Sequence, residues 1–230
     1  MIGNWMFALH RSRRDLLKFV AAGFALGSLQ LIGLTSALAQ NARVDVEQLM
    51  SDQPLPDVVE GQANAPVTIV EYASMTCSHC AAFHTKVYPT LKSKYIDTGK
   101  AKFMLREFPL DPLATAGFML ARCAGDKRDA MIELLFAQQK NWAFIDKPLD
   151  GLANIVKQTG MSQDTFEKCL KDQALYDKVN MVRDRGAEKF GVNATPTFVL
   201  NQDPANKIEG SLPYDQFKDK IDALLKGAHT

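Results

Sequence analysis

The sequence predicts an α/β fold: a central mixed sheet with flanking helices, interrupted by an all-helical insertion. Three observations carry this. Val67-Thr68-Ile69-Val70-Glu71-Tyr72 reads as a strand, and Phe83, Val87, Leu91 and Tyr95 recur every four residues as one face of a helix does, so a strand hands over to a helix near Cys77. Residues 111–190 then read as helices, with glycine stops and no strand signal. Strand signals return at Thr197–Leu200 and at Lys207–Glu209. The outer pieces hold too few strands to stand alone. One sheet split by an insertion is the economical arrangement.

Taken in order, residues 40–64 contain Pro54, Pro56 and Gly61 and are expected to lie extended across the surface after a short helix near 46–50. Residues 65–110 form the first half of the fold. The helix opening at Cys77 should run to about Asp97, kinked by Pro89, which removes one backbone bond and clashes with the preceding turn. A second strand follows at 102–108, with Phe103, Leu105 and, less cleanly, Met104 toward the core. Asp111-Pro112 pairs a good N-cap with proline at the first helical position. Helices are predicted near 112–123, 127–139, 149–158, 163–172 and 174–190, stopped by Gly125, Gly160 and Gly191, with Ser162 as an N-cap. These make the insertion, 111–190. Residues 191–230 complete the fold: two strands around the turn-rich Asn201-Gln202-Asp203-Pro204-Ala205-Asn206, then a helix from about Pro213. Phe217, Ile221 and Leu224 should face inward, and Lys220 and Lys226 outward.

Residues 1–39 read as an export signal and not as fold. Arg11, Arg13, Arg14 and Lys18 precede an apolar stretch, which closes on Ala37-Leu38-Ala39, a signal-peptidase pattern that places the cut before Gln40. Ser12-Arg13-Arg14-Asp15-Leu16-Leu17-Lys18 resembles the twin-arginine signal, with Leu16 where an aromatic residue is commoner. An ordinary secretory signal and an uncleaved anchor are the alternatives. Cleavage removes four bases and one acid from totals of 27 and 26, leaving 23 against 25, a net charge of −2. A mildly acidic chain with no basic block argues against nucleic acid as a partner. Export implies an oxidising compartment, the periplasm, where disulfides persist.

All four cysteines lie beyond the signal: Cys77 and Cys80 close together, Cys123 and Cys169 far apart. Cys77-Ser78-His79-Cys80 on its own allows a redox pair or a metal knuckle. Zinc normally takes four ligands, and Cys77, Cys80 and His84 supply three. A cysteine at a helix start meets unpaired N–H groups and about half a positive charge, which favour the thiolate. His84 is placed away from Phe83 and Val87 and is expected at the surface. Met75 and Met104 flank the motif and are expected in the core.

The motif at the first helix, together with Ala194-Thr195-Pro196-Thr197 before a strand, Glu71-Tyr72-Ala73-Ser74 and Arg106-Glu107-Phe108-Pro109, resembles the DsbA family of thioredoxin-fold proteins over residues 55–226. The resemblance implies that Pro196 is cis and lies beside the cysteine pair, that Thr195 presents its backbone to a substrate peptide, that Cys77 is the exposed nucleophile and that Cys80 is the buried resolving thiol. Ser78 and His79 would tune the pair. Many family members carry proline where Ser78 stands. Glu71 matches a family acid near the buried thiol and would relay protons. Cys123 and Cys169 would form a second, structural disulfide, with two buried free thiols as the alternative.

These implications describe an exported, monomeric thiol–disulfide oxidoreductase that introduces disulfides into unfolded or partly folded exported proteins. It would use no cofactor and no metal, and a DsbB-like membrane partner would reoxidise it. One alternative is an isomerase or reductase, disfavoured because residues 40–64 are too short for a dimerisation domain but favoured by Thr195. The other is a non-enzymatic metal-binding chaperone.

Overall fold

The computed structural model describes residues 51 and 53–227. The export signal, its cleavage site and the helix expected near 46–50 lie outside them. Five strands, β1 (Val59–Glu60), β2 (Val67–Ala73), β3 (Ala101–Glu107), β4 (Thr197–Leu200) and β5 (Lys207–Glu209), form one sheet in the order β1-β3-β2-β4-β5. β2 and β3 run parallel, Val67 opposite Ala101 and Ala73 opposite Glu107; the other pairings are antiparallel. The sheet is therefore mixed. β1 departs from the sequence expectation of an extended surface segment: it pairs Val59 with Met104 and Glu60 with Phe103. Two residues are too few to show a strand's alternation.

Every residue of β2 is buried, because both faces of the sheet are covered. Side chains alternate across a strand. Val67, Ile69 and Ala73 join the larger core with Phe83, Phe103, Phe198 and Phe217, while Val70 and Tyr72 join Met104, Phe108, Phe190 and Val199 on the other side. Glu71 shares its parity with Ile69 and Ala73, so a carboxylate enters the larger core.

α1 (Ser78–Lys86) and α2 (Tyr88–Leu91) follow β2. The helix is broken at Val87 and passes into a π-helical turn at Lys92–Ile96, with Pro89 in the first turn of α2. The insertion comprises α3 (Pro112–Cys123), α4 (Arg128–Ala137), α5 (Pro148–Lys157), α6 (Gln163–Leu170) and α7 (Gln173–Phe190), each within two residues of its predicted bounds. Asp111 caps α3 by accepting from Ala114 N, and Ser162 caps α6 by accepting from Thr165 N. α7 ends on Gly191 at φ 60°, a conformation that costs a side chain with a Cβ. α8 (Tyr214–Gly227) closes the fold and buries Phe217 and Ile221.

Two buried ion-pair clusters tie the flanking segments to β3. Arg106 donates to both carboxylate oxygens of Asp57, at 2.9 and 2.7 Å, and to the Tyr72 hydroxyl at 3.1 Å. Glu107 accepts from Arg122 of α3 at 2.7 Å and from Arg128 of α4 at 3.3 Å. Such pairs fix geometry more than they add stability, since desolvation offsets the Coulomb gain.

Cys123, the last residue of α3, is joined to Cys169 of α6, with Cα atoms 6.2 Å apart. We propose that this bond is structural. Replacing both cysteines by serine should then cost about 2–4 kcal/mol of unfolding free energy and leave thiol exchange at Cys77 intact. Urea unfolding checks this: an unchanged midpoint would show that the bond contributes nothing to stability.

Candidate active site

Cys77 is the N-cap of α1, and Cys80 lies in that helix's first turn. The Cys77 side is partly open to solvent, with Ser78 and His79 exposed, whereas Cys80 is fully buried. Both are free thiols. The Thr195–Pro196 bond is cis. That turn lies against the motif, 118 positions from it in sequence, and the Cys77 thiol donates to the Thr195 carbonyl at 3.3 Å. The Thr195 hydroxyl is buried without a partner; a thiolate at Cys77 would give it an acceptor.

The two sulfurs are electrostatically unequal. A hydrogen bond from the Cys80 thiol acts first on Cys77. Partial burial opposes it, while Thr195 and the backbone N–H groups of Cys80 and His79 reinforce it, and the Cys77 pKa falls to about 5. Burial, the shared hydrogen bond and the charge of Glu71 push Cys80 well above its ordinary value. One negative charge is therefore stable on the outer sulfur and unstable on the inner one.

The loop before α1 is held from the insertion. Gln139, buried after α4, donates to the carbonyls of Met75 at 2.8 Å and Cys77 at 3.0 Å. Asp111 accepts from the Thr76 hydroxyl at 2.6 Å while capping α3. Met75 is buried, and its side chain lies so close to Gly117 that an added Cβ there would meet it at 3.0 Å. Nothing in the sequence marks Gln139 as a site residue, because its partners lie more than sixty positions away.

His84 corrects the sequence reading. It is 2% exposed, not a surface residue. Its Nε2 meets Glu71 at 2.8 Å, its Nδ1 meets Glu133 of α4 at 2.7 Å, and its ring stacks on Phe136. With both nitrogens engaged, it does not face a metal beside Cys77 and Cys80. Its spacing of four from Cys80 was the available signal, since residues four apart share a helix face. Burial alone would lower its pKa, but Glu71 and Glu133 outweigh that and raise it to about 10. Burial raises the Glu71 carboxyl, with His84 pulling the other way.

A helix-capping cysteine, a buried partner one turn on and a cis-proline turn against them, all on a mixed sheet, define a thioredoxin-fold protein with a paired-thiol site. Comparison with known proteins agrees. A thioredoxin family model matches residues 54–223. The chain is 34% identical over 176 residues to a putative protein-disulfide oxidoreductase of Rickettsia felis, covering 74% of this chain and 60% of that protein. It is 30% identical over 175 residues to a probable disulfide bond formation protein D of Bacillus anthracis, covering 72% and 77%. The crystal structure of Wolbachia pipientis alpha-DsbA1 superposes with a TM-score of 0.73 at 32% identity, over 80% of this chain and 97% of that one. The chain belongs to the DsbA-like family of the thioredoxin fold. It spans little more than half the length of several Rickettsia relatives, 57% and 54% in two cases.

The unequal sulfurs predict a measurable titration. Alkylation of reduced protein at Cys77 should follow one ionisation with an inflection at about pH 5. Cys80→Ala should move it upward, because the largest stabilising donor is gone. An inflection in the wild type near that of an ordinary thiol, about 8.5, would refute the assignment of the charge to Cys77.

Proposed function

We propose that this chain is an exported thiol–disulfide oxidoreductase that oxidises cysteine pairs in other exported proteins. The observation that carries the reading is the low-pKa, partly exposed Cys77 beside a buried Cys80 whose thiolate is disfavoured. A substrate thiolate attacks Cys77 Sγ of the oxidised pair; the electron pair of the broken bond goes to Cys80 Sγ, which takes a proton. A second substrate thiolate then attacks the substrate sulfur of the mixed disulfide and expels Cys77 as a thiolate. A sulfur that holds its charge well is a good leaving group, so the oxidised pair hands its bond on readily. This favours oxidation over isomerisation or reduction.

Ser78 and His79 line the exposed lip of the site, and Thr195 and Pro196 offer a substrate backbone its partner. Glu71, near Cys80, acts on that thiol's proton. The residues before Gln40 carry the chain to the periplasm as a monomer, through a signal with twin-arginine character. The substrates are unfolded or partly folded proteins, and a DsbB-like membrane protein reoxidises the pair. Among the described residues no helix is long and apolar enough to cross a membrane.

The roles separate in two variants. Cys77→Ala should form no mixed disulfide with a cysteine-containing peptide, whereas Cys80→Ala should accumulate it, seen by mass on non-reducing analysis. Equal behaviour of the two would sink the assignment.

The redox form should also govern stability. The folded Cys77 pKa lies below its unfolded value, so its contribution is present at high pH and fades as pH falls toward about 5. The reduced protein should therefore gain melting temperature on the oxidised protein as pH rises from 5 to 8. A constant gap, or an oxidised form that is the more stable at pH 8, would point to a reductant instead.

A further inference from the structure

One side of α1 is left partly open. Phe83 and His84 are buried, whereas Ser78, Thr85 and Lys86 are exposed and Ala81 and Ala82 half-buried. The end of α4 and the turn after it stand across from that side, and the two enclose a groove of about 450 Å³. Ala81, Ala82 and Phe136 give it an apolar surface, and Thr85, Gln138 and Asn141 a polar one. We propose that this groove is a substrate subsite: it takes the chain on one side of the cysteine that attacks Cys77, and it selects for acidic residues there. The inference rests on the thiol-exchange reading above and names a substrate preference which that reading leaves open.

The groove begins at the reactive cysteine. Ser78, next to Cys77, lines one end, and Gln139 lines it while donating to the Cys77 carbonyl at 3.0 Å. From Ser78 to Lys86 the helix rises about 12 Å, at roughly 1.5 Å per residue. An extended chain covers that span in about four residues. A substrate joined to Cys77 therefore reaches the far end of the groove within four positions of its own cysteine.

Gln139 supplies a contact for the substrate backbone. It is 4% exposed, and both Nε2 hydrogens are used, on the Met75 and Cys77 carbonyls. Those bonds fix which end of the amide is which. They leave Oε1 with no hydrogen bond among the described residues. A nearly buried carbonyl oxygen in a groove wall calls for a donor, and a substrate N–H is one. Main-chain bonds of this kind hold a peptide, while side-chain contacts select it.

The charge of the groove is one-sided. Lys86 and Lys140 line it, both exposed, and neither forms an ion pair among the described residues. No Asp or Glu lines it. Glu133, the last acid of α4, is engaged by His84 at 2.7 Å. An acidic side chain in the groove would meet two ammonium groups and no carboxylate, and a basic one would meet only repulsion.

The test uses Cys80→Ala, which traps the mixed disulfide. The protein is equilibrated with oxidised glutathione and an equimolar pair of single-cysteine peptides. One peptide carries Asp and the other Lys at the four positions on one side of the cysteine. After acid quenching, the two Cys77 adducts are counted by mass. Two peptide sets, flanked before or after the cysteine, find the side that enters the groove. In at least one set the Asp adduct should exceed the Lys adduct about threefold to tenfold, the range for one or two exposed ion pairs, and the excess should shrink as salt is raised. Adding Lys86→Glu and Lys140→Glu should bring that ratio below one. Lys178→Glu, whose lysine lies outside the groove, should leave it as it was. Comparing the same peptides across variants cancels their own thiol reactivities. Equal adducts in both sets, or a ratio unmoved by the double reversal, would overturn the subsite. Absence of any Cys77 adduct would instead overturn the exchange reading itself.

Discussion

The hydrogen bond from the Cys80 thiol to the Cys77 sulfur works only while Cys80 keeps its proton and Cys77 does not. Each condition has its own structural cause. Cys77 caps the first turn of α1, where the unpaired backbone N–H groups of the helix start favour its thiolate. Cys80 sits inside, against the larger core and near a carboxylate, where a second negative charge is disfavoured twice over. Moving the pair one residue along the helix would lose both conditions. The helix start has to fall at Cys77, and most of the surrounding packing serves to keep it there.

That packing comes largely from the insertion. Gln139 holds the two carbonyls that precede α1, and Asp111 holds Thr76 from the start of α3. The insertion is in turn fixed to the sheet by Arg122 and Arg128 on Glu107. A chain of polar contacts therefore runs from the edge of β3, through α3 and α4, to the backbone of Cys77. Buried polar contacts of this kind are worth little net energy but specify one arrangement. The insertion thus acts as a clamp on the reactive loop, while the Cys77–Thr195 contact joins the two halves of the fold directly.

How far the sequence could be read depends on the range of the interaction concerned. Helix caps are local: Asp111, Ser162 and Gly191 act within a turn of themselves, and the insertion's helices fall where those residues place them. The strands are legible because β2 is buried on both faces and so reads as a largely apolar, β-branched run, broken by Thr68 and Glu71. β1 is two residues long and carries no pattern. His84 shows the harder failure. Its neighbours Phe83 and Val87 point to the core, so a surface position looked safe; but Cys80, one turn earlier, is buried as well. The buried face of α1 takes in Cys80 and His84 as well as Phe83, leaving Ser78, His79, Thr85 and Lys86 exposed, and the covering element over His84, α4, is contributed from about fifty positions downstream. Gln139 and Glu133 were invisible for the same reason: each acts on residues that the chain brings near only after the insertion folds.

Glu71 shows why such residues gather at one place. On β2 its parity sends it into the larger core, where an unpaired carboxylate would be expelled or neutralised. His84 meets it there, and Glu133 meets His84, so the cost of one buried acid is spread over three groups with an outlet to solvent. A purely structural solution would replace Glu71 with an apolar residue, which commonly leaves a protein as stable or more so. Here the acid is kept, and His84 and Glu133 hold it in a hydrogen-bonded row near the buried Cys80.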